Sequence, residues 1–201
     1  MKKRKRSYFF AADYNHRIIW LEGVICSQSE QRVLRALKKM NKTKGPICFY
    51  ISGPGGVFVS VFSIGKALVA SLNPVLGIAH GKVQSACFLL TQYFKVCAAV
   101  PGTRFSFHHA TTDGPWDKSG LLTQEEAINT LEYMRRADAI QALLFLHKTK
   151  KEHEVHRLFE GQKTISARTA RCLGLIDCYL DQSDFNKDRR LIAKKKQHRT
   201  A

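Results

Sequence analysis

The chain has 201 residues, 44% hydrophobic and 24% charged. That is enough apolar material for one core without disulfide or metal staples, and it excludes wholesale disorder. Charge is the outlying quantity: 33 Lys and Arg against 16 Asp and Glu leave +17, with five positive charges in residues 2–6 and a net six in residues 187–199.

In chain order, the apolar run 8–12 follows the basic start but is shorter than the roughly 7–15 apolar residues of an export signal. Residues 17–24 (RIIWLEGV) are branched and aromatic and end near a glycine, which predicts a buried strand. Residues 29–40 place Val33, Leu34, Ala36, Leu37 and Met40 at helical spacing. Residues 47–51 (ICFYI) predict a second buried strand, closed by the Gly-rich run 52–56, and 57–72 predict a buried helix. A third strand is expected over 74–79, with a helix from about Ser85 to Tyr93. Short strands are expected over 96–99 and 104–108, around the Pro101-Gly102 turn. Residues 124–147 carry the longest helical pattern, with Ala127, Leu131, Met134, Ala137, Ile140, Leu144 and His147 on one stripe. Helices over 152–159 and 167–173 and a strand over 175–180 complete the order. Continuous apolar strands alternating with helices predict an α/β fold with a largely parallel, covered sheet. The expected organisation is a basic segment 1–16, one domain over 17–182 and a basic tail over 183–201.

The basic ends read either as solvated tails or as contacts for nucleic acid, anionic lipid or an acidic partner. No helix-turn-helix, RNA-recognition or zinc-finger pattern accompanies them. No apolar run approaches the roughly 18–20 residues of a membrane span. Cys26, Cys48, Cys87, Cys97, Cys172 and Cys178 stand singly among apolar neighbours, without metal-ligand spacing. They are expected to be buried free thiols, which points to a reducing, cytosolic compartment.

Three segments can carry chemistry. Ser52–Gly56 puts glycines at a strand-to-helix junction, where bare N–H groups can hold an oxyanion or a phosphate, or simply make a turn. It lacks the Gly-Lys-Ser/Thr of a P-loop and the dinucleotide fingerprint. Ser85, in Gly81-Lys82-Val83-Gln84-Ser85-Ala86, opens a helix and is either an N-cap or a nucleophile with the Ala86 N–H beside it. The pattern is not the Gly-x-Ser-x-Gly of α/β-hydrolases. In Arg104-Phe105-Ser106-Phe107-His108-His109, alternation sets Phe105 and Phe107 on one face and Ser106 and His108 on the other. His108 is either a structural histidine or the base that a helix-start serine needs.

The order Ile-Ser-Gly-Pro-Gly-Gly-Val, Gly-x-x-x-Ser, Pro-Gly-Thr-Arg-x-x-x-His, Ile-Ser-Ala-x-x-Ala-x-x-x-Gly-Leu-Ile-Asp resembles the proteolytic subunit of the Clp protease over roughly residues 17–180. The resemblance implies a Clp/crotonase-like single domain of repeated β-α units with a long handle helix over 124–147. It implies that Ser85 is the nucleophile and His108 the general base. The N–H groups of Gly56 and Ala86 would form the oxyanion hole, and Gly55 and Val57 would bind substrate main chain. The substrate would be an unfolded polypeptide or short peptide, and the subunits would form stacked homo-oligomeric rings, with related subunits as an option. A separate AAA+ unfoldase would use ATP, so no cofactor or metal is expected on this chain. The cell compartment would be the bacterial cytosol or an organelle derived from one.

The sequence departs from the family pattern at several places. Gln162 stands at the position of the triad Asp; Glu160 is close enough in sequence to substitute, and Asp177 belongs to a structural place. Ala86-Cys87 replaces Met-Gly, and His109 replaces Gln. About sixteen residues precede the first predicted strand, which implies a shortened axial loop and weakened unfoldase docking. The alternatives are a catalytically weak subunit acting as a structural or regulatory partner in a ring, and acyl-CoA chemistry on the same scaffold.

Overall fold

The computed structural model describes residues 8–109, 124–149, 151–161 and 164–197. The strands are β1 (Tyr8–Asp13), β2 (Ile18–Ile25), β3 (Ile47–Gly56), β4 (Val75–Gln84), β5 (Val96–Ala99), β6 (Arg104–Ser106), β7 (Thr164–Ser166) and β8 (Cys178–Tyr179). The helices are α1 (Ser27–Met40), α2 (Phe58–Val69), α3 (Ala86–Thr91), α4 (Gln124–Thr149), α5 (Glu152–Gly161), α6 (Ala167–Cys172) and α7 (Gln182–Gln197).

The sheet runs β1-β2-β3-β4-β5-β8, and β6 branches off β4 to carry β7. Pairings from β2 to β8 along this path are parallel, as is β4–β6; β1–β2 and β6–β7 are antiparallel. This is the α/β, largely parallel sheet that the apolar runs predict. Both faces of the central strands β2 and β3 are buried along most of their length, which is why ICFYI reads as unbroken hydrophobicity rather than alternation. Ile47, Phe49 and Ile51 face the larger core, shared with α1, α2 and α3; Cys48 and Tyr50 face the smaller one.

Three predicted boundaries shift. Residues 8–13 do not lie outside the domain: β1 pairs along its whole length with β2, Tyr8 to Gly23 through Asp13 to Ile18. The expected basic tail forms α7, whose Phe185 and Ile192 are buried on Trp20, Tyr50 and Ile78. Few apolar residues, Phe185 and then Leu191–Ala193, set among Lys, Arg and Asp, hid that face. The Gly-rich run 52–56 is not a turn but the extended end of β3, pairing Ser52 with Glu22 and Gly56 with Ile25.

The stripe predicted along the longest helix also moves. Among its described side chains, Ala137, Gln141 and Phe145, four residues apart, are the buried ones, whereas Leu131 is 57% exposed; Ala127 lies outside the described side chains. Of the cysteines, only Cys87 and Cys97 are buried; Cys26 and Cys48 are half-buried, and Cys172 and Cys178 are exposed free thiols.

The smaller core is aromatic. Trp20 and Tyr50 stack with centroids 4.4 Å apart, and the Tyr50 hydroxyl donates to Asp188 Oδ2 of α7 at 2.5 Å. Burial, with the Asp188 bond second, pushes the Tyr50 phenol well above its ordinary range. His80 packs against Trp20 and Phe185, and its Nε2 is buried without a hydrogen bond. Burial lowers its pKa to about 4; Glu22, with Oε1 3.7 Å from Nε2, pulls it upward, and Arg189 lowers it further.

An unfolded histidine titrates near 6.5, so between those values the folded chain binds fewer protons than the unfolded one. The stability tied to neutral His80 is complete above about pH 6.5 and is lost as the pH falls toward 4. His80→Leu is expected to remove up to about 3 kcal/mol of the acid-side loss. Tm measured from pH 7 to pH 4 checks this: a slope as steep as that of the parent chain contradicts it.

Candidate active site

Ser85 sits where β4 gives way to α3. Gln84, the last residue of β4, pairs with Ser106 of β6, and its Nε2 donates to Ser106 Oγ at 3.0 Å. The Ser85 N–H carries the ladder one residue further, donating to the Ser106 carbonyl at 2.8 Å. The chain then turns sharply, with Ser85 at φ 48° and ψ −123°. This matches the first corner of a type II′ turn, a glycine-favouring conformation that costs a side-chain-bearing residue about 1–3 kcal/mol.

The side chain separates the two readings left open by the sequence. Ser85 occupies the N-cap position, and its carbonyl accepts from the Leu89 N–H at 2.9 Å, but its hydroxyl makes no capping bond. A strained strand-to-helix turn with an unused hydroxyl is the geometry by which a nucleophilic serine is presented. With six residues, α3 offers little dipole. The local Ala86 N–H, first of the helix's unpaired donors, matters more than the summed dipole.

The end of β3 lies against this turn. A Cβ on Gly55 would stand 2.8 Å from Ser85 Cβ and 2.9 Å from the Ala86 nitrogen. Only glycine lets the β3 backbone come this close to the serine. Gly56, at φ 151°, is pressed against β2, and a Cβ there would overlap the Ile25 carbonyl.

Val57 needs a correction. Its N–H donates to the Ile25 carbonyl at 2.8 Å, and its own carbonyl accepts from Val61 in the first turn of α2. Its main-chain donor is therefore committed to the fold and is not free to bind an added strand.

Cys87 lies just beyond Ala86. Burial pushes its thiol up to about 12 against the opposing effect of the Gly55 N–H, so it stays protonated at neutral pH.

The strand β6 delivers His108 to the same end of the sheet. Phe105 and Phe107 are buried while Ser106 and His108 are half-buried, the alternation expected from the sequence. Ser85 and His108 follow the Gln84–Ser106 pair by one and two residues, so they leave adjoining strand ends.

No hydrogen bond joins them in this structure. His108 Nδ1 instead lies 2.6 Å from the carbonyl oxygen of His109. A carbonyl only accepts, so Nδ1 carries the hydrogen and Nε2 keeps its lone pair in the neutral ring. The ring of His109 reaches back to α4, Nδ1 to Asp138 Oδ2 at 3.1 Å. The buried Gln141 donates from Nε2 to the other carboxylate oxygen at 3.2 Å. Sequence reading missed this group because its members lie on two segments 29 residues apart, with only ordinary surface residue types to mark them.

Gln162 lies outside the described residues. Glu160 is exposed on α5. Asp177 accepts from the Cys97 N–H at 2.7 Å, tying the start of β8 to β5. Among the described residues, no three His, Cys, Asp or Glu side chains come together as a metal would require. A groove of about 700 Å³ between the end of α2, the segment after α3 and α4 is lined by Leu68, Leu72, Gln92, Phe94 and Lys148, among others, but by no predicted site residue. No helix among the described residues is long and apolar enough to cross a membrane.

The sequence is similar to known proteins. The chain is 28% identical over 138 residues to the ATP-dependent Clp protease proteolytic subunit 2 of Frankia casuarinae, covering 65% of this chain and 59% of that protein. It is 24% identical over 183 residues to proteolytic subunit 4 of Streptomyces avermitilis, covering 88% and 78% of the two chains. Against proteolytic subunit 2 of Streptomyces coelicolor, identity is 25% over 174 residues, covering 84% and 77%. The family model for Clp protease matches residues 2–183, taking in β1 as well as every strand and turn that frames Ser85. On that match the chain belongs to the Clp protease family.

Proposed function

We propose that the chain is a serine peptidase subunit that hydrolyses unfolded polypeptides or short peptides, with Ser85 as nucleophile and His108 as general base. The observation that carries this is the Ser85 turn: a non-glycine residue held in a glycine conformation, its hydroxyl unused by the helix it starts. Proteins keep such strain where the site uses it.

The Ser85 hydroxyl would give its proton to His108 Nε2 while its oxygen bonds to the scissile carbonyl carbon. The carbonyl electron pair moves onto oxygen, where the Gly56 and Ala86 N–H groups would receive it. Collapse breaks the C–N bond, and the Nε2 proton leaves with the amine. Water then repeats the sequence, releasing the acid and restoring Ser85. Gly55 would pair with the substrate main chain as an added strand, a mode that reads backbone rather than side chains. Catalysis requires Ser85 and His108 to close to hydrogen-bonding distance, a contact that tightens on substrate binding.

Assembly into rings, fed by a separate ATP-driven unfoldase, is part of the same proposal. Exposed apolar side chains among the described residues of α4, Ile128, Leu131, Tyr133, Ile140 and Leu143, are what a helix at a ring interface would bury. The second reading, a weakly active subunit serving a ring, draws on the neutral Gln162 and the unmade Ser85–His108 bond. A fluorogenic peptide separates the two. His108→Ala is expected to lower its hydrolysis by at least about 10³-fold with the assembly intact; equal hydrolysis by both chains would overturn the peptidase reading.

A further inference from the structure

We infer that His108 is oriented by the main-chain carbonyl of His109, which the Asp138–Gln141 pair on α4 holds in place, so that Asp138 is a positioning residue of the site. The inference rests on the Ser85–His108 reading and adds to it the part that a triad acid would otherwise play.

A base that takes a proton at Nε2 needs its hydrogen on Nδ1 and its ring fixed in one orientation. The 2.6 Å contact between His108 Nδ1 and the His109 carbonyl satisfies both needs. A carbonyl one residue along the chain can do this only if its own peptide is held still. His109 is half exposed, with 54% of its side chain open to solvent. Its ring is tied to the long helix by the Nδ1–Oδ2 contact to Asp138 at 3.1 Å. Asp138 is in turn fixed through its other oxygen by Gln141, which is only 4% exposed and anchored in the core face of α4. The series runs from a buried amide, through a carboxylate and an imidazole, to the peptide oxygen facing the base. The Asp138 carboxylate also places a negative charge near the segment where imidazolium develops, which a neutral Gln162 does not supply.

The test uses the full chain, with isotopically labelled histidine for nitrogen NMR and a fluorophosphonate for acylation kinetics. In the parent chain His108 is expected as the Nδ1–H tautomer. Asp138→Asn and His109→Ala should each shift it toward Nε2–H and slow maximal labelling of Ser85 by about 10- to 100-fold. The half-saturating probe concentration should not change. The double variant should be no slower than either single one, since both cut the same tie, and Asp138→Glu should recover part of the rate.

An Nε2–H tautomer in the parent chain overturns the inference whatever the activity. So does a labelling rate that Asp138→Asn leaves intact while Gln162→Ala lowers it, because the orienting group is then Gln162. A parent chain with the Nδ1–H tautomer but no labelling at all overturns the peptidase reading instead, and Asp138 loses its positioning role with it.

Discussion

Ser85→Gly is expected to abolish peptide hydrolysis and, at the same time, to make the protein more stable. The two effects come from one residue because φ 48° with ψ −123° is a conformation that glycine adopts freely and serine does not. Removing the side chain releases about 1–3 kcal/mol of backbone strain and returns about 0.5–1 kcal/mol to the entropy of the unfolded chain. The net gain is about 1 kcal/mol, a rise in Tm of about 2–4 °C for a chain of this size.

Ser85→Ala is the control. It removes the same hydroxyl but keeps the Cβ, so hydrolysis should fall by at least about 10³-fold with Tm almost unmoved. If Ser85→Gly melts no higher than Ser85→Ala, the turn is not strained in the way its dihedrals indicate. A merely capping serine would give another pattern: Ser85→Ala would lose about 1 kcal/mol of stability with the cap bond, instead of leaving Tm almost unmoved.

The second large effect is at Gly56. A Cβ there meets the Ile25 carbonyl, a backbone atom fixed in the β2–β3 pairing, and φ 151° disfavours a side chain as well. The strand cannot yield without separating from β2, so Gly56→Ala is expected to cost about 3 kcal/mol or more, lowering Tm by roughly 6–12 °C. Gly102→Ala isolates the dihedral contribution. Its φ is 84°, but a Cβ there has nothing within 4 Å, so only the conformational cost of about 1–2 kcal/mol remains. Equal melting temperatures for the two variants would show that β3 is free to shift and that Gly56 is not clamped beside the Ser85 turn.

The parts of the fold legible in the sequence are those written in continuous hydrophobicity. ICFYI and RIIWLEGV announce strands covered on both faces, and the Phe105–Phe107 alternation gives His108 its side of β6. The parts that were not legible depend on partners distant in sequence. Glycines do not say whether they turn or extend, and 52–56 extends because β2 offers pairing partners up to Ile25. The basic C-terminal segment folds as α7 because Phe185 and Ile192 find the Trp20–Tyr50 face, and that face comes from β2 and β3.

The candidate site divides in the same way. Ser85, His108 and the glycines stand out because their residue types are chemically specific. That the Val57 N–H is taken up by Ile25 was not legible, because the availability of a main-chain donor is decided by the neighbouring strand, not by the residue. Asp138 and Gln141 went unseen because a carboxylate on a charged helix is ordinary until a distance places it beside His109.

The most direct test of the account is intact-protein mass spectrometry after exposure to a fluorophosphonate, with the modified residue located by peptide mapping. The account predicts one adduct, on Ser85, lost in Ser85→Ala and formed far more slowly in His108→Ala. A folded, assembled chain that takes up no adduct, or one modified equally with and without His108, would contradict it.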